Sequence, residues 1–219
     1  MKKKNKILIS LIGIVGIKLL LVSGCVKKDI SEDQIVYKSV KIGTQEWMAE
    51  NLNVTKYRNG DPIPYVENNT EWMNLTTGAY CNYDNSTANA DIYGRLYNWY
   101  AINDTRNIAP VGWHVATTEE WKTLVNYIGL NHGSNALRET GNIHWYGDNT
   151  SADDYYGFTA LPSGMRYIDG TYSGIGLYGE WWTSTSGCSW SLGIFYNSVQ
   201  EGYTEYKNGF AVRCIKDQP

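Results

Sequence analysis

Hydrophobic and polar residues alternate over 36–42, which is the spacing of a strand with one buried face. The dipeptide Gly43-Thr44 follows as a turn former, and a second hydrophobic stretch around Trp47 comes next. This pattern predicts a strand, a tight turn and a second strand. From 57 to 89 the chain is rich in Asn, Asp, Thr, Gly and Pro, which predicts a long irregular excursion.

Two stretches then place hydrophobic residues at helical spacing. The first runs over about 93–102, where aromatic and aliphatic residues share one face. The second opens with Thr117 and Glu120, which form a capping box, and Gly129 ends it. Its hydrophobic positions recur at i, i+3, i+4 and i+7 and predict a face buried in the core. These positions are Trp121, Leu124, Val125 and Ile128.

The remainder of the chain alternates between strand-like runs and loops. The runs lie at 157–161, 164–168, 180–185, 189–196, 203–207 and 209–215. Two helices followed by a mostly antiparallel β-rich half with long irregular loops predict the α+β class. No repeat period is visible, which argues against a solenoid or a propeller.

The first residues form a separate pattern. Several lysines precede a hydrophobic run over 7–22, and small residues follow before Cys25. A basic start, a short apolar run and a small-residue boundary predict a secretory signal over 1–24. Lys18 and the glycines interrupt the run, which argues against a membrane span of about 20 apolar residues.

Residues 21–25, Leu-Val-Ser-Gly-Cys, resemble the lipobox of bacterial lipoproteins. The resemblance implies that the signal is cut before Cys25 and that this cysteine carries the lipid. Several acyl chains on one residue anchor a protein stably, because each buried methylene adds about 0.8 kcal/mol. We expect a charged tether over 25–34, a domain over 35–219, and a location at the outer membrane or cell surface.

Charge and composition narrow the class of partner. Without 1–24, the chain would keep 195 residues with 14 basic and 22 acidic side chains, a net charge of −8. One domain of ordinary size fits this length, and the acidic balance argues against a nucleic-acid partner. All nine Trp and all 18 Tyr follow Cys25, so the aromatic surplus consists of rings that carry a polar group.

Aromatic residues in the Gly-, Asn-, Ser- and Asp-rich loops are the candidate ligand-binding residues. They combine flat apolar faces with hydrogen-bonding neighbours, a mixture that binds sugars and peptides. The alternative is that these rings pin long loops onto the body of the domain. The candidates are Trp145, Tyr146, Tyr155, Tyr156, Tyr172, Tyr178 and Trp190.

A separate group of aromatic and charged residues is predicted to build the core instead. We expect Arg213 to pair there with a buried carboxylate or with carbonyl groups. The group consists of Trp113, Trp121, Trp181, Trp182 and Arg213.

Export permits disulfides, and three cysteines besides Cys25 remain. They are Cys81, Cys188 and Cys214, and an odd number leaves one thiol over. A local bridge between Cys188 and Cys214 and a long-range bridge between Cys81 and Cys214 both stay open at this point.

Metal and catalytic motifs are sparse. Asp148, Asp153 and Asp154 are candidate calcium ligands, although their loop lacks the EF-hand spacing and a solvated loop is the alternative. The three histidines have no metal-ligand spacing, and neither a nucleophile elbow nor a phosphate or dinucleotide loop occurs. We therefore expect no cofactor and no catalytic residue.

Seven sequence blocks are distributed over nearly all of the chain after the tether. They are WMAENL at 47–52, YCNY at 80–83, YGRLYNW at 93–99, APVGWHV at 109–115, FTALPSG at 158–164, WWTST at 181–185 and GFAVRC at 209–214. In this order they resemble the Fibrobacter succinogenes major paralogous domain, a family common in secreted and surface proteins of Bacteroidetes and their relatives.

The resemblance implies a C-type-lectin-like fold, which the formylglycine-generating enzymes share, and a disulfide between Cys81 and Cys214. The calcium-dependent sugar tripeptides of C-type lectins do not occur in this chain. Cys188 and Cys214 lie 26 positions apart, unlike the closely spaced copper cysteines of the formylglycine enzymes. The family has no established activity to carry over, and fold alone does not convey function.

These observations predict a lipid-anchored, non-enzymatic surface protein that binds an extracellular glycan or protein through its aromatic loops. A structural envelope or adhesin component is the second hypothesis. A copper-dependent oxidase like the formylglycine-generating enzymes, or a carbohydrate-active hydrolase, is the third, and neither a ligand spacing nor a motif supports it.

Overall fold

The computed structural model describes residues 36–196 and 198–218, in which short helices and strands are joined by long loops. The helices are α1 (Asn69–Met73), α2 (Thr87–Tyr93), α3 (Trp99–Ile102) and α4 (Thr118–His132). The strands are β1 (Ser39–Ile42), β2 (Gln45–Met48), β3 (Tyr80–Cys81), β4 (Leu96–Tyr97), β5 (Trp113–Val115), β6 (Ser163–Arg166), β7 (Tyr172–Ile175), β8 (Tyr178–Trp182), β9 (Cys188–Gly193), β10 (Val199–Tyr203), β11 (Ala211–Val212) and β12 (Cys214–Lys216). This combination is an α+β fold.

The N-terminal predictions concern a part of the chain that the structure leaves undescribed. The signal at 1–24, lipidation at Cys25 and the tether at 25–34 all lie outside the described residues. Within the described ranges, every helix is too short or too polar to cross a membrane.

The predicted hairpin at the start of the domain is present. Strands β1 and β2 pair antiparallel, with Ile42 opposite Gln45. Gly43 makes the turn at a φ of 61°, and a Cβ at this position would lie 2.9 Å from Cδ2 of Tyr127. Backbone conformation and space therefore both require glycine here.

Two sheets carry most of the fold. The smaller has the order β1-β2-β12-β5, so the C-terminal strand lies between the first hairpin and the strand before α4. The larger has the order β10-β9-β8-β6-β7, and β11 pairs with β8 in parallel. Strands β6 and β8 are also parallel, whereas the other neighbours are antiparallel. The run at 157–161 forms no strand and contributes a single bridge between Ala160 and Arg138.

The helix predicted over 93–102 is wrong. Gly94 ends α2 at a φ of 78°, β4 follows, and Asn98 caps α3 by accepting a hydrogen bond from the amide of Ala101. Between the helices, Tyr97 exchanges backbone hydrogen bonds with Phe210, and β4 pairs with β3. Pairing with residues distant in sequence thus overrides the local helical spacing.

Helix α4 begins and breaks as its sequence predicts. The Thr117 side chain accepts a hydrogen bond from the amide of Glu120, and the Glu120 carboxylate accepts one from the amide of Thr117. Gly129 leaves the helical conformation at a φ of 66°. Trp121, Leu124 and Ile128 are buried in one core cluster with residues of the larger sheet.

The predicted core residues are buried as expected. Trp113 and Trp182 belong to one cluster, and Trp121 and Trp181 belong to another. Arg213 is 1% exposed, and its guanidinium donates to the carbonyl oxygens of Met48 at 2.8 Å and Phe158 at 2.7 Å. These contacts confirm the predicted pairing of Arg213 with carbonyl groups in the core.

Candidate functional site

The larger sheet has two unlike faces. Side chains alternate along a strand, so Gly179 and Trp181 of β8 point one way and Tyr178 and Glu180 point the other. On β9, the register places Ser191 opposite Glu180 and Gly193 opposite Tyr178. We call the side with Trp181 the inner face and the side with Glu180 the outer face.

A cleft opens on the outer face, and we refer to it as the sheet cleft. Its volume is about 190 Å³. Small residues of β9 form its floor, and exposed aromatic rings stand at its edge, with Phe195 74% and Tyr196 57% exposed. The lining consists of Met165, Leu177, Tyr178, Glu180, Ser191, Gly193, Phe195 and Tyr196.

Glu180 is the charged group of this cleft. Its carboxylate accepts one hydrogen bond, from the Ser189 hydroxyl at 3.2 Å, and Glu180 takes part in none of the ion pairs of the described residues. Burial raises the pKa of its carboxyl group to about 7, and the bond from Ser189 offsets only part of this effect. A carboxyl group with a displaced pKa inside a cleft marks a candidate binding site.

Tyr178 is held in place beside Glu180 by its contacts. Its ring covers Gly174, where a Cβ would lie 2.0 Å from Cζ of the tyrosine. Its hydroxyl donates to Oγ of Ser173 at 3.3 Å, and burial raises the pKa of that hydroxyl. Gly174 has a φ of 82°, so glycine is required there for the backbone and for the ring.

Two of the predicted ligand-binding residues are buried, and their assignment is corrected. Trp145 is 0% exposed and donates its indole N–H to the carbonyl of Ala160 at 3.2 Å. Trp190 is 4% exposed on the inner face, where its ring stacks on Trp121 at a centroid distance of 6.0 Å. These two rings hold the domain together, as the alternative interpretation of the aromatic loops proposed.

Tyr172 is also occupied by internal contacts. Its ring lies 4.9 Å from the Arg166 guanidinium and 5.2 Å from the Tyr83 ring. Its hydroxyl donates to Oδ1 of Asn85 at 2.7 Å. Tyr172 therefore anchors β7 to the 3-10 turn at Tyr83–Asn85 and does not line the sheet cleft.

Of the remaining predicted tyrosines, Tyr146 and Tyr155 are exposed outside the cleft and Tyr156 is half-buried against the core. Tyr146 is 57% exposed and its ring covers Gly176. Tyr155 is 66% exposed and packs edge-on against Tyr156, which in turn contacts Tyr127. Of the seven predicted aromatic residues, Tyr178 is the one that lines the sheet cleft.

The disulfide between Cys81 and Cys214 that the family resemblance implied does not form. Cys81, Cys188 and Cys214 are all buried free thiols, and Cys81 and Cys214 belong to different core clusters. Burial raises the pKa of the Cys81 thiol to about 11 and that of Cys214 to about 12. These cysteines therefore serve as small apolar core residues.

The aspartates proposed as calcium ligands accept hydrogen bonds from residues of their own loop. Asp148 accepts from the amide and hydroxyl of Thr150, Asp153 accepts from the amide of Tyr155, and Asp154 accepts from Thr159. In the described part of the chain, no three His, Cys, Asp or Glu side chains converge on one point. The structure thus does not assemble a calcium site from Asp148, Asp153 and Asp154.

A larger cavity of about 360 Å³ lies beside residues 50–56. The amide of Asn51 at its wall is fully engaged, because it accepts from Trp181 at 2.8 Å and Arg213 at 3.1 Å and donates to the carbonyl of Tyr93 at 2.9 Å. This side chain joins loops to the core. The sheet cleft is the stronger candidate site, because it joins exposed aromatic rings to a carboxyl group that forms no ion pair with the described residues.

Sequence reasoning missed Glu180, Phe195 and Tyr196. A usable signal for Glu180 would have required the predicted strand at 180–185 to begin at Tyr178, because residues two positions apart in a strand share a face. The burial that raises its pKa was not visible, since it depends on neighbouring strands.

A family model described as the Fibrobacter succinogenes major domain matches residues 40–216. No curated protein and no solved structure matches the chain. Because the matched residues make up well over half of the chain, this protein belongs to the Fibrobacter succinogenes major domain family.

Proposed function

We propose that this protein is a lipid-anchored bacterial surface protein whose C-type-lectin-like domain binds an extracellular glycan in the sheet cleft without catalysis. The anchor part of the proposal rests on the signal pattern over 1–24 and on Cys25. The binding part rests on the geometry of the outer face of the larger sheet.

The sheet cleft is the observation that carries the binding proposal. It combines aromatic rings, on which the apolar side of a sugar stacks, with the Glu180 carboxyl and Ser191 hydroxyl, which hydrogen-bond sugar hydroxyls. Its volume of about 190 Å³ is smaller than the roughly 300 Å³ of the smallest usual ligand pockets. One sugar ring at the end of a chain suits this space, and further rings would lie over Phe195 and Tyr196.

The lining favours binding over hydrolysis. Glycoside hydrolysis uses two carboxyl groups that flank the scissile bond. Among the described residues that line the cleft, Glu180 is the sole acid. This composition supports recognition of the glycan and offers no partner for acid–base chemistry.

A glycan array with the detergent-purified full-length protein tests the binding proposal. We expect binding to a defined set of glycans that is lost in Tyr178→Ala and in Phe195→Ala. Tyr155→Ala removes an exposed ring outside the cleft and serves as the matched control, which should bind as the parent does. Chelation of calcium should change nothing, because the three loop aspartates do not converge.

Two outcomes would overturn this assignment. Binding that persists in both cleft variants would place the glycan elsewhere. A well-folded protein that binds no glycan but captures a purified envelope protein would move the function to the structural or adhesin class.

Labelled palmitate tests the anchor separately. We expect the label to enter the parent protein and to be absent from Cys25→Ala. Equal labelling of the two proteins, or no label in either, would contradict lipidation at Cys25.

A further inference from the structure

Among the described residues, Glu180 has no counter-charge. The carboxylate receives one neutral hydrogen bond, from Ser189, and no Lys, Arg or His among the described residues forms an ion pair with it. Buried charges in proteins are ordinarily paired, because desolvation of an unpaired charge is costly. A group that lines an open cleft can obtain its partner from a ligand.

The groups around Glu180 suit one kind of partner. The rings of Tyr178, Phe195 and Tyr196 surround the cleft, and aromatic faces attract a cation electrostatically. The small floor residues Ser191 and Gly193 leave room for a ring to approach the carboxylate. An acid beside aromatic rings is thus complementary to a compact cation with an apolar body.

We propose that the sheet cleft recognises a primary ammonium group, and that the glycan it binds ends in an unsubstituted amino sugar. This inference rests on the proposed function and names the ligand class for the same site. Glu180 pairs with the ammonium, Ser191 and Ser189 remain as neutral hydrogen-bonding neighbours, and the sugar ring stacks against the aromatic edge. The net charge of −8 that follows removal of 1–24 also draws cationic ligands toward the domain.

Titration calorimetry at pH 6.5 with matched oligosaccharides tests the ligand class. The probes are a glucosamine oligomer and an N-acetylglucosamine oligomer of equal length, which differ in the charged amine. We expect the full-length protein to bind the amine form about tenfold more tightly or better, as hydrogen bonds to charged groups allow.

Two variants and a control separate charge from shape. Glu180→Gln keeps the shape of the side chain and should remove the preference for the amine. Gly193→Ala puts a Cβ 3.5 Å from Cβ of Tyr178 and 3.7 Å from Cδ2 of Tyr196, so it should narrow the cleft and weaken both probes. Glu205→Gln changes an exposed acid outside the cleft and should bind as the parent does.

Each result decides between the two proposals. Equal binding of both oligomers, or an unchanged preference in Glu180→Gln, overturns the ammonium assignment and leaves glycan binding intact. Binding of Nα-acetyl-lysine amide but of neither oligomer keeps the ammonium and replaces the glycan by a lysine-bearing protein. A folded protein that binds none of the three probes overturns the ammonium assignment. If the glycan array also shows no binding, the proposed glycan-binding function is overturned as well.

Discussion

The two faces of the larger sheet are built from the same strands but differ in packing: one is covered by α4, and the other carries an open cleft. On the inner face, Trp181 and Trp190 pack beneath Trp121 of α4 at centroid distances of 5.7 and 6.0 Å, and all three rings are at most 4% exposed. On the outer face, Glu180 and Gly193 leave a cleft of about 190 Å³. Alternation along β8 and β9 thus places these packed rings and the proposed binding cleft on opposite sides of the sheet.

The outer face also carries a group that opposes folding. A carboxyl group whose pKa is raised by burial is worse solvated in the folded state than in the unfolded chain. Removal of the Glu180 charge should therefore raise the free energy of unfolding, whereas removal of a packed ring from the inner face should lower it.

Loss of the helix ring that covers the inner face should have the largest effect. Trp121→Ala removes a ring that contacts Trp47, Phe158, Trp181 and Trp190, and we expect a loss of about 3–5 kcal/mol in the free energy of unfolding. Urea unfolding measures it. Trp121→Phe is the control, because the indole N–H has no hydrogen-bond partner among the described residues and only part of the packing is lost. A parent-like unfolding curve for Trp121→Ala would contradict the packed inner face.

Removal of the outer-face charge should stabilise the protein at high pH. The Glu180 pKa rises from 4.5 to about 7 on folding, so between these values the folded protein binds more protons than the unfolded chain. The parent therefore loses stability as the pH rises through this window, whereas Glu180→Gln does not.

Above pH 7 we expect the free energy of unfolding of Glu180→Gln to exceed that of the parent by on the order of 2–3 kcal/mol. Urea unfolding at pH 4.5 and pH 8, without ligand, measures the difference. A gap that is the same at both pH values would show that folding does not raise the pKa of this half-buried carboxyl group.

Loss of the N-terminal cap of α4, the helix that covers the inner face, should lower the free energy of unfolding by a smaller amount. Thr117→Ala removes the side chain that accepts from the amide of Glu120 at 3.1 Å, and we expect a loss of about 1 kcal/mol. Thr123→Ala is the matched control, since this exposed hydroxyl donates to a carbonyl of the same helix. Thermal unfolding measures both variants. Equal losses of stability in the two would show that Thr117 does not stabilise the helix as a cap.

The smallest effect should come from the imidazole that joins α4 to the C-terminal end. His114 lies 2.8 Å from Glu120 and 2.7 Å from Asp217, and these carboxylates raise its pKa above 6.5. Its stabilising contribution is present below pH 6.5 and is lost as the pH rises through the folded-state pKa.

We expect His114→Gln to lower the free energy of unfolding, measured in urea, by roughly half a kcal/mol at pH 6. The effect is small because salt and solvent screen these partly exposed ion pairs. The cost should disappear at pH 9. A cost that grows with pH would mean that the imidazole acts in its neutral form.

Much of the local structure could be predicted from the sequence. The first hairpin, the capping box at Thr117, the break at Gly129 and the role of Arg213 all follow from signals that lie within a few residues or from a buried charge that needs partners. The split of 93–102 into α2, β4 and α3 did not follow, because Tyr97 pairs with Phe210 across the fold.

The candidate site was less accessible to sequence reasoning. Tyr178 was identified, but Trp145 and Trp190 have the same loop-like surroundings in the sequence and are buried in the structure. The residues next to an aromatic residue in the sequence show which groups are its neighbours along the chain. Whether its ring is buried depends on which helices and strands pack over it.

By itself, the sequence determined the family, the amphipathic helix, the first hairpin and the predicted export signal, because each is encoded in contiguous residues or in ordered blocks. Only the tertiary structure decided which aromatic rings are core, that the three cysteines after Cys25 remain thiols, and that Glu180 faces a cleft with no counter-charge from the described residues. The physical reason is that burial and pairing are properties of contacts between distant strands, and the side chains that make or omit those contacts are brought together only when the sheets assemble.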